Sequence, residues 1–116
     1  MEGAIYNNLI NPSPATQNNI QVGATNLRIQ LEIREGYAPL PISTATVKNI
    51  IIKKPNDVIM TKTASFLTDG SDGMLTYFTS GSDLDVAGTY SVQAYIAMPD
   101  FTGYSTPTEF AVDANL

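Results

Sequence analysis

From Asp83 to Ile96 the chain reads Asp-Leu-Asp-Val-Ala-Gly-Thr-Tyr-Ser-Val-Gln-Ala-Tyr-Ile, and this stretch constrains the fold more than any other. A turn ending in Ala87-Gly88 runs straight into a strict alternation that places Tyr90, Val92, Ala94 and Ile96 on one face. Successive side chains of a strand point to opposite sides, so a period of two with one apolar set describes a half-buried β-strand. A second alternation lies earlier, with Leu27, Ile29, Leu31 and Ile33 set against Arg28, Gln30, Glu32 and Arg34. Each strand needs another apolar layer to cover its inner face, and no segment has the helical period that would supply a helix for the purpose.

The remaining chain divides into short strands and turns. Val47 and the β-branched run Ile50-Ile51-Ile52 fit a central strand carrying a bulge. Lys54-Pro55-Asn56-Asp57 is a turn with proline pre-setting its second position, and Val58 to Lys62 returns from it. Shorter strands follow at Ala64 to Leu67, at Met74 to Phe78 and near Thr106 to Val112. Tyr37 to Ile42 contains Pro39 and Pro41, which cannot donate to a ladder, and reads as a crossing loop or short edge with Leu40 and Ile42 tucked beneath the sheets. Thr68 to Gly73 and Pro99 to Gly103 are turn clusters.

An aromatic that opens a strand just after an Ala-Gly corner resembles the tyrosine corner of immunoglobulin-like sandwiches, whose ring enters the core while its hydroxyl bonds to upstream backbone. Tyr90 occupies that position. The expected fold is therefore all-β, an immunoglobulin-like β-sandwich of about seven antiparallel strands. It spans residues 19–116 and is preceded by an extended N-terminal arm, residues 1–18.

Composition narrows the chemistry. With 43% hydrophobic and 15% charged residues, the 116-residue chain suits one globular domain whose surface is largely uncharged and polar. A net charge of -5 with 6 Lys+Arg argues against nucleic acid as a partner, because phosphate binding needs a clustered basic face. Cys and His are both absent, which removes disulfides, thiolate and imidazole metal ligands, and the commonest general base. Met1-Glu2-Gly3-Ala4 has neither a basic start nor a following apolar run, so synthesis in the cytoplasm without a secretory signal is expected. No segment is long enough to span a bilayer, and no membrane partner is expected.

Candidate sites are few. Asp69, Asp72, Asp83 and Asp85 lie in turns, where carboxylates ordinarily satisfy local backbone donors, and neither a metal nor a catalytic role is assigned to them. No cofactor site is expected. Tyr37, Tyr95, Phe101 and Tyr104 are candidate interface aromatics. Tyr95 is out of phase with Tyr90 and so faces the other side of its sheet, while Phe101 and Tyr104 are expected in a turn. In the arm, Ala4, Ile5, Tyr6, Leu9 and Ile10 cluster ahead of Pro12 and Pro14. An arm of this kind can add a strand to a neighbour's sheet edge, with Tyr6, Leu9 and Ile10 filling pockets.

One family resemblance spans roughly residues 25 to 112. Leu27-Arg-Ile-Gln-Leu-Glu-Ile33, Ala45-Thr46-Val47-Lys48, Lys54-Pro55-Asn56-Asp57, Asp72-Gly73 with Tyr77, and Ala87-Gly-Thr-Tyr90 with Val92 follow one another in an order similar to that of the N-terminal domain of phage baseplate upper proteins. Asn56-Asp57 departs from the Asp-Gly usual there. The resemblance implies a bacteriophage virion structural protein, an adaptor or decorating subunit of the tail baseplate, neck or head fibre. It would dock to other virion proteins and to copies of itself and would reside in the virion. No enzymatic activity is expected, since nothing in the sequence supplies a nucleophile with a positioned base. The alternative reading is a carbohydrate-binding or adhesive immunoglobulin-like module.

Overall fold

The computed structural model describes the backbone of residues 6–10 and, in full, residues 20–35, 38–99 and 101–115. These form two facing sheets. One sheet has the order β1-β3-β8-β7, from Tyr6–Ile10, Arg28–Glu35, Met74–Phe78 and Ser65–Phe66, with β4 (Ala38–Pro39) also pairing with β3. The other has the order β2-β11-β9-β5-β6, from Ile20–Gln21, Thr108–Asp113, Gly88–Met98, Val47–Lys53 and Ile59–Thr63, with β10 (Phe101–Tyr104) beside the second half of β9. No helix occurs among the described residues. The β-sandwich expected from the two alternations is thus the fold, although the described residues form eleven strands where about seven were expected and β2 runs parallel to β11.

The core follows the alternation. Ile29, Leu31 and Ile33 of β3 and Leu75 of β8 face Ile50 and Ile52 of β5 and Tyr90, Val92, Ala94 and Ile96 of β9, all fully or almost fully buried. Each of the buried Val, Leu and Ile side chains contributes about 1.5 to 3 kcal/mol of burial free energy. Leu40 and Ile42 close the same core from the crossing segment, and Phe110 of β11 stacks on Tyr90 with ring centroids 5.4 Å apart.

Tyr90 completes a tyrosine corner. Its hydroxyl donates to the Val86 carbonyl at 2.7 Å and accepts from the Val86 N–H at 3.2 Å. Gly88, between them, has φ +137°, and a Cβ there would come within 2.7 Å of the Pro55 ring, so the Ala-Gly step is required by packing as well as by the turn.

Three local expectations change. The run Ile50-Ile51-Ile52 carries no bulge, because β5 keeps an unbroken register with β9 from Val47↔Ala97 to Lys53↔Ser91 and with β6 on its other side. Ile50 and Ile52 point inward, and Ile51 takes the outer face. Phe101 and Tyr104 do not lie in a turn: they belong to β10, which pairs with β9 from Phe101↔Met98 to Tyr104↔Tyr95. Gly103 makes room there, since a Cβ would come within 3.0 Å of the Phe101 ring. Residues 6–10 of the expected arm form β1, paired with β3 of the same chain from Tyr6↔Arg34 to Ile10↔Gln30. The side chains of Tyr6, Leu9 and Ile10, and the rest of residues 1–18, lie outside the described residues.

Candidate binding face

The outer face of the larger sheet is set by the parity that buries Tyr90, Val92, Ala94 and Ile96. Their neighbours Ser91, Gln93 and Tyr95 point away from the core, and the register aligns them in rows across the strands. Tyr104, Tyr95 and Asn49 make one row, Gln93, Ile51 and Thr61 the next, and Glu109, Ser91, Lys53 and Ile59 the one after. The rows enclose a cleft of about 300 Å³ lined by Ile51, Lys53, Ile59, Ser91, Gln93 and Pro107. That volume is at the small end of ligand sites, which run from roughly 300 to 1,000 Å³.

Two features give this face defined geometry. Tyr95 and Tyr104 pack with ring centroids 4.8 Å apart and planes tilted by 52°, an aromatic pair next to the cleft, with Tyr104 59% exposed. Ser105 fixes its frame. Buried itself, it receives a bond from the Gln93 amide nitrogen to its carbonyl at 2.8 Å, and its hydroxyl accepts from the Ala94 N–H at 2.9 Å. The Gln93 amide is thereby held with its Oε1 available as an acceptor, and Tyr104, one residue before Ser105, is held against Tyr95.

The charges on this face are few. Lys53 and Glu109 flank Ser91 in one row with opposite signs, and Lys53 lies 3.7 Å from Asp57. Ile59, 62% exposed, is an aliphatic side chain left largely to solvent at the cleft rim.

The acidic turn residues are engaged locally. Asp69 accepts from the Ser71 hydroxyl at 2.7 Å and the Ser71 N–H at 3.0 Å, and the Ser71 bonds hold its carboxyl below the ordinary aspartate range. Asp72 accepts from Met74 N–H at 3.0 Å and from Thr68. Asp83 is different, being buried: it accepts from Tyr77, from Ser80 N–H at 3.0 Å and from Lys62 at 3.3 Å. Burial alone would raise its pKa, but the Tyr77, Ser80 and Lys62 donors outweigh that and hold it low. Burial and the Asp83 carboxylate in turn push the Tyr77 hydroxyl up to about 12. Asp85 pairs at 2.7 Å with Lys54, whose buried ammonium also donates to the Ser82 carbonyl at 2.9 Å. The Asp83 and Asp85 contacts fasten the loop between β8 and β9, while those of Asp69 and Asp72 stay within the turn between β7 and β8. Among the described residues no group of three or more acidic side chains is placed to hold a metal ion, and the sequence contains neither Cys nor His.

Of the interface aromatics expected from sequence, Tyr95 and Tyr104 come together at this face. Phe101 takes the inner parity of β10 and packs against the core, and Tyr37 lies outside the described residues. Gln93, Ser91, Ile51, Ile59 and Pro107 are lining residues that the sequence pattern does not single out. For Ile51 and Ile59 the one signal is an apolar residue at a solvent-facing parity, which for Ile51 the three consecutive isoleucines conceal.

The comparisons bear on the fold. The chain is similar in structure to CopC from Methylosinus trichosporium OB3b, with a TM-score of 0.56 over 96% of this chain and 99% of that one at 21% identity. No family model matches the chain, and no curated protein does. The resemblance to phage baseplate upper proteins is therefore corrected, and with it the virion structural role, whether in baseplate, neck or head fibre, and the virion location. The physical reason lies in the motifs that carried it. Lys54-Pro55, Asp72-Gly73 and Ala87-Gly-Thr-Tyr90 are a hairpin turn, a carboxylate-capped turn and a tyrosine corner, devices that any β-sandwich uses to connect strands.

Proposed function

We propose that this chain is a non-catalytic binding domain whose ligand lies on the outer face of the six-stranded sheet. The supporting observation is the coincidence, on one face, of the cleft, the Tyr95–Tyr104 pair and the Gln93 amide held by Ser105. Surface apolar residues scattered singly need no explanation, whereas a concave apolar site with a few fixed polar groups is the usual form of a ligand site. The absence of Cys and His from the sequence, and the engagement of the acidic turn residues by local donors, favour binding over catalysis.

Small fragments test the face whatever its natural ligand is. A fragment screen followed by amide chemical shifts should place the responsive resonances at residues 51, 53, 59, 91, 93 and 104. An Ile51→Glu variant, which puts a charge into the cleft from a half-exposed position, should abolish those responses while leaving the circular dichroism spectrum unchanged. Responses confined to the five-stranded sheet would overturn the assignment.

A further inference from the structure

We infer that the ligand of this face is a neutral oligosaccharide, an inference that rests on the binding reading above and names its substrate class. An acidic polymer finds no matching field, because the chain as a whole carries a net charge of -5 and Lys53 is already set against Glu109 and Asp57. A wholly apolar ligand would cover the Gln93 Oε1, the Ser91 and Thr61 hydroxyls and the Asn49 amide without pairing them, and unpaired buried polar groups are costly. A sugar ring satisfies both sets. Its C–H faces are weakly positive and seat on the negative face of an aromatic ring, while its hydroxyls both donate and accept.

The layout suits a chain of such rings. Neighbouring strands are about 4.8 Å apart and alternate residues along a strand about 6.7 Å, so the row Tyr104-Tyr95-Asn49 and the row Gln93-Ile51-Thr61 together make a platform longer than one ring. Tyr104, more than half exposed and tilted against Tyr95, offers a stacking surface at one end. Gln93 supplies a fixed acceptor beside it, because its amide nitrogen is committed to the Ser105 carbonyl. The cleft with Ile51, Ile59 and Pro107 continues the platform toward Lys53. Side chains held before the ligand arrives lose little freedom on binding, which is what a weakly binding, repetitive ligand requires.

The experiment titrates the full chain with soluble neutral hexasaccharides (β-1,4-glucan, β-1,3-glucan, β-1,4-mannan, β-1,4-xylan and chitin oligomers) and with oligogalacturonate as the acidic control, read by amide chemical shifts and calorimetry. At least one neutral probe should saturate, with shifts at Gln93, Tyr95 and Tyr104, and the acidic probe should not. Tyr104→Ala should weaken that binding by about tenfold or more, and Tyr104→Phe, which keeps the ring, should stay within about twofold. A parallel titration with p-cresol, a phenolic fragment sized to the cleft, distinguishes the choice of sugar from the existence of the binding face. Cleft shifts with p-cresol and none with any neutral sugar would overturn the sugar assignment and leave the binding face standing. No saturable response to either kind of probe would overturn both. Sugar binding indifferent to Tyr104→Ala would also overturn the inference, since the stacking platform would then lie elsewhere.

Discussion

Lys62 of the edge strand β6 reaches 3.3 Å to Asp83, a buried carboxylate in the loop that joins β8 to β9. Lys62 pairs in register with Ile50, so it stands on the inner face of its strand, where alternation would place an aliphatic side chain. The ion pair thus closes one side of the sandwich with a charge that is satisfied only in the native arrangement. Lys54, from the same hairpin, holds the same loop through Asp85 and the Ser82 carbonyl.

The first prediction follows from the titration of Asp83. Its folded pKa lies below the ordinary value of about 3.9, so the carboxylate adds stability that is fully present above the unfolded pKa and lost as pH falls through the folded one. Unfolding midpoints measured in urea from pH 6 down to pH 2 should therefore drop on the acid side for wild type, and Asp83→Asn should flatten that drop. Equal acid slopes in the two proteins would place the sensitivity on other carboxylates.

Tyr77 gives the opposite limb. With its hydroxyl pushed up to about 12, its proton is held more tightly in the folded chain than in the unfolded one, where tyrosine titrates near 10. The stability it contributes is full below about pH 10 and lost between about pH 10 and 12. Tyr77→Phe should lower stability at pH 7 and soften the alkaline loss, and ultraviolet absorbance at the phenolate band should show a late-titrating component that this variant removes. If Tyr77→Phe removed no late-titrating component, the Tyr77–Asp83 bond would not persist in solution.

Tyr90→Ala should destabilise by about 3 to 5 kcal/mol, as large aromatic truncations in cores do. Tyr90→Phe keeps the ring and its stacking on Phe110 but leaves both the N–H and the carbonyl of Val86 without the hydroxyl, a cost of about 1 to 2 kcal/mol. Chemical denaturation followed by circular dichroism measures both, the chain having no tryptophan. An unchanged midpoint for Tyr90→Phe would mean that the corner bond adds nothing.

Gly73→Ala tests a backbone requirement. Gly73 has φ +73° and is buried, and a Cβ there would lie 2.7 Å from the Ile33 carbonyl oxygen and 2.9 Å from that of Leu40. The left-handed conformation alone costs an L-residue about 1 to 2 kcal/mol, and main-chain atoms on two sides leave the methyl nowhere to go. A loss of at least about 2 kcal/mol is expected in the same denaturation assay.

How far the molecule is legible from its sequence depends on which residues are asked. The alternations at 27–33 and 90–96 specify two half-buried strands, and Ala87-Gly88-Thr89-Tyr90 specifies the corner, because each is a local pattern with a local physical cause. Ile51 is obscured because three consecutive isoleucines satisfy inner and outer parity alike, so its outward direction emerges only from the register with Gln93. Tyr104 reads as a turn residue because Gly103 looks like a breaker, although the missing side chain of Gly103 serves the Phe101 ring within a strand. The Lys62–Asp83 pair joins residues that no local pattern connects. The phage resemblance misleads for the converse reason: its motifs are legible, but they report how strands are joined and carry nothing about what the surface binds.

The last prediction separates two roles of Lys62. A charge pointing inward from an edge strand discourages another chain from pairing with that edge, since added strands would bury it. Lys62→Met alone strands Asp83 without its cation and should cost about 1 to 3 kcal/mol, mixing a stability loss with any change in association. The double variant Lys62→Met, Asp83→Asn removes both charges while the Asn side chain can still meet Tyr77 and the Ser80 N–H, and exchanging a buried pair for neutral groups is often close to neutral in stability. That variant should unfold within about 1 kcal/mol of wild type yet associate more strongly with itself, seen as a concentration-dependent rise in sedimentation coefficient. Identical sedimentation at matched stability would show that the edge is protected by something other than the inward lysine.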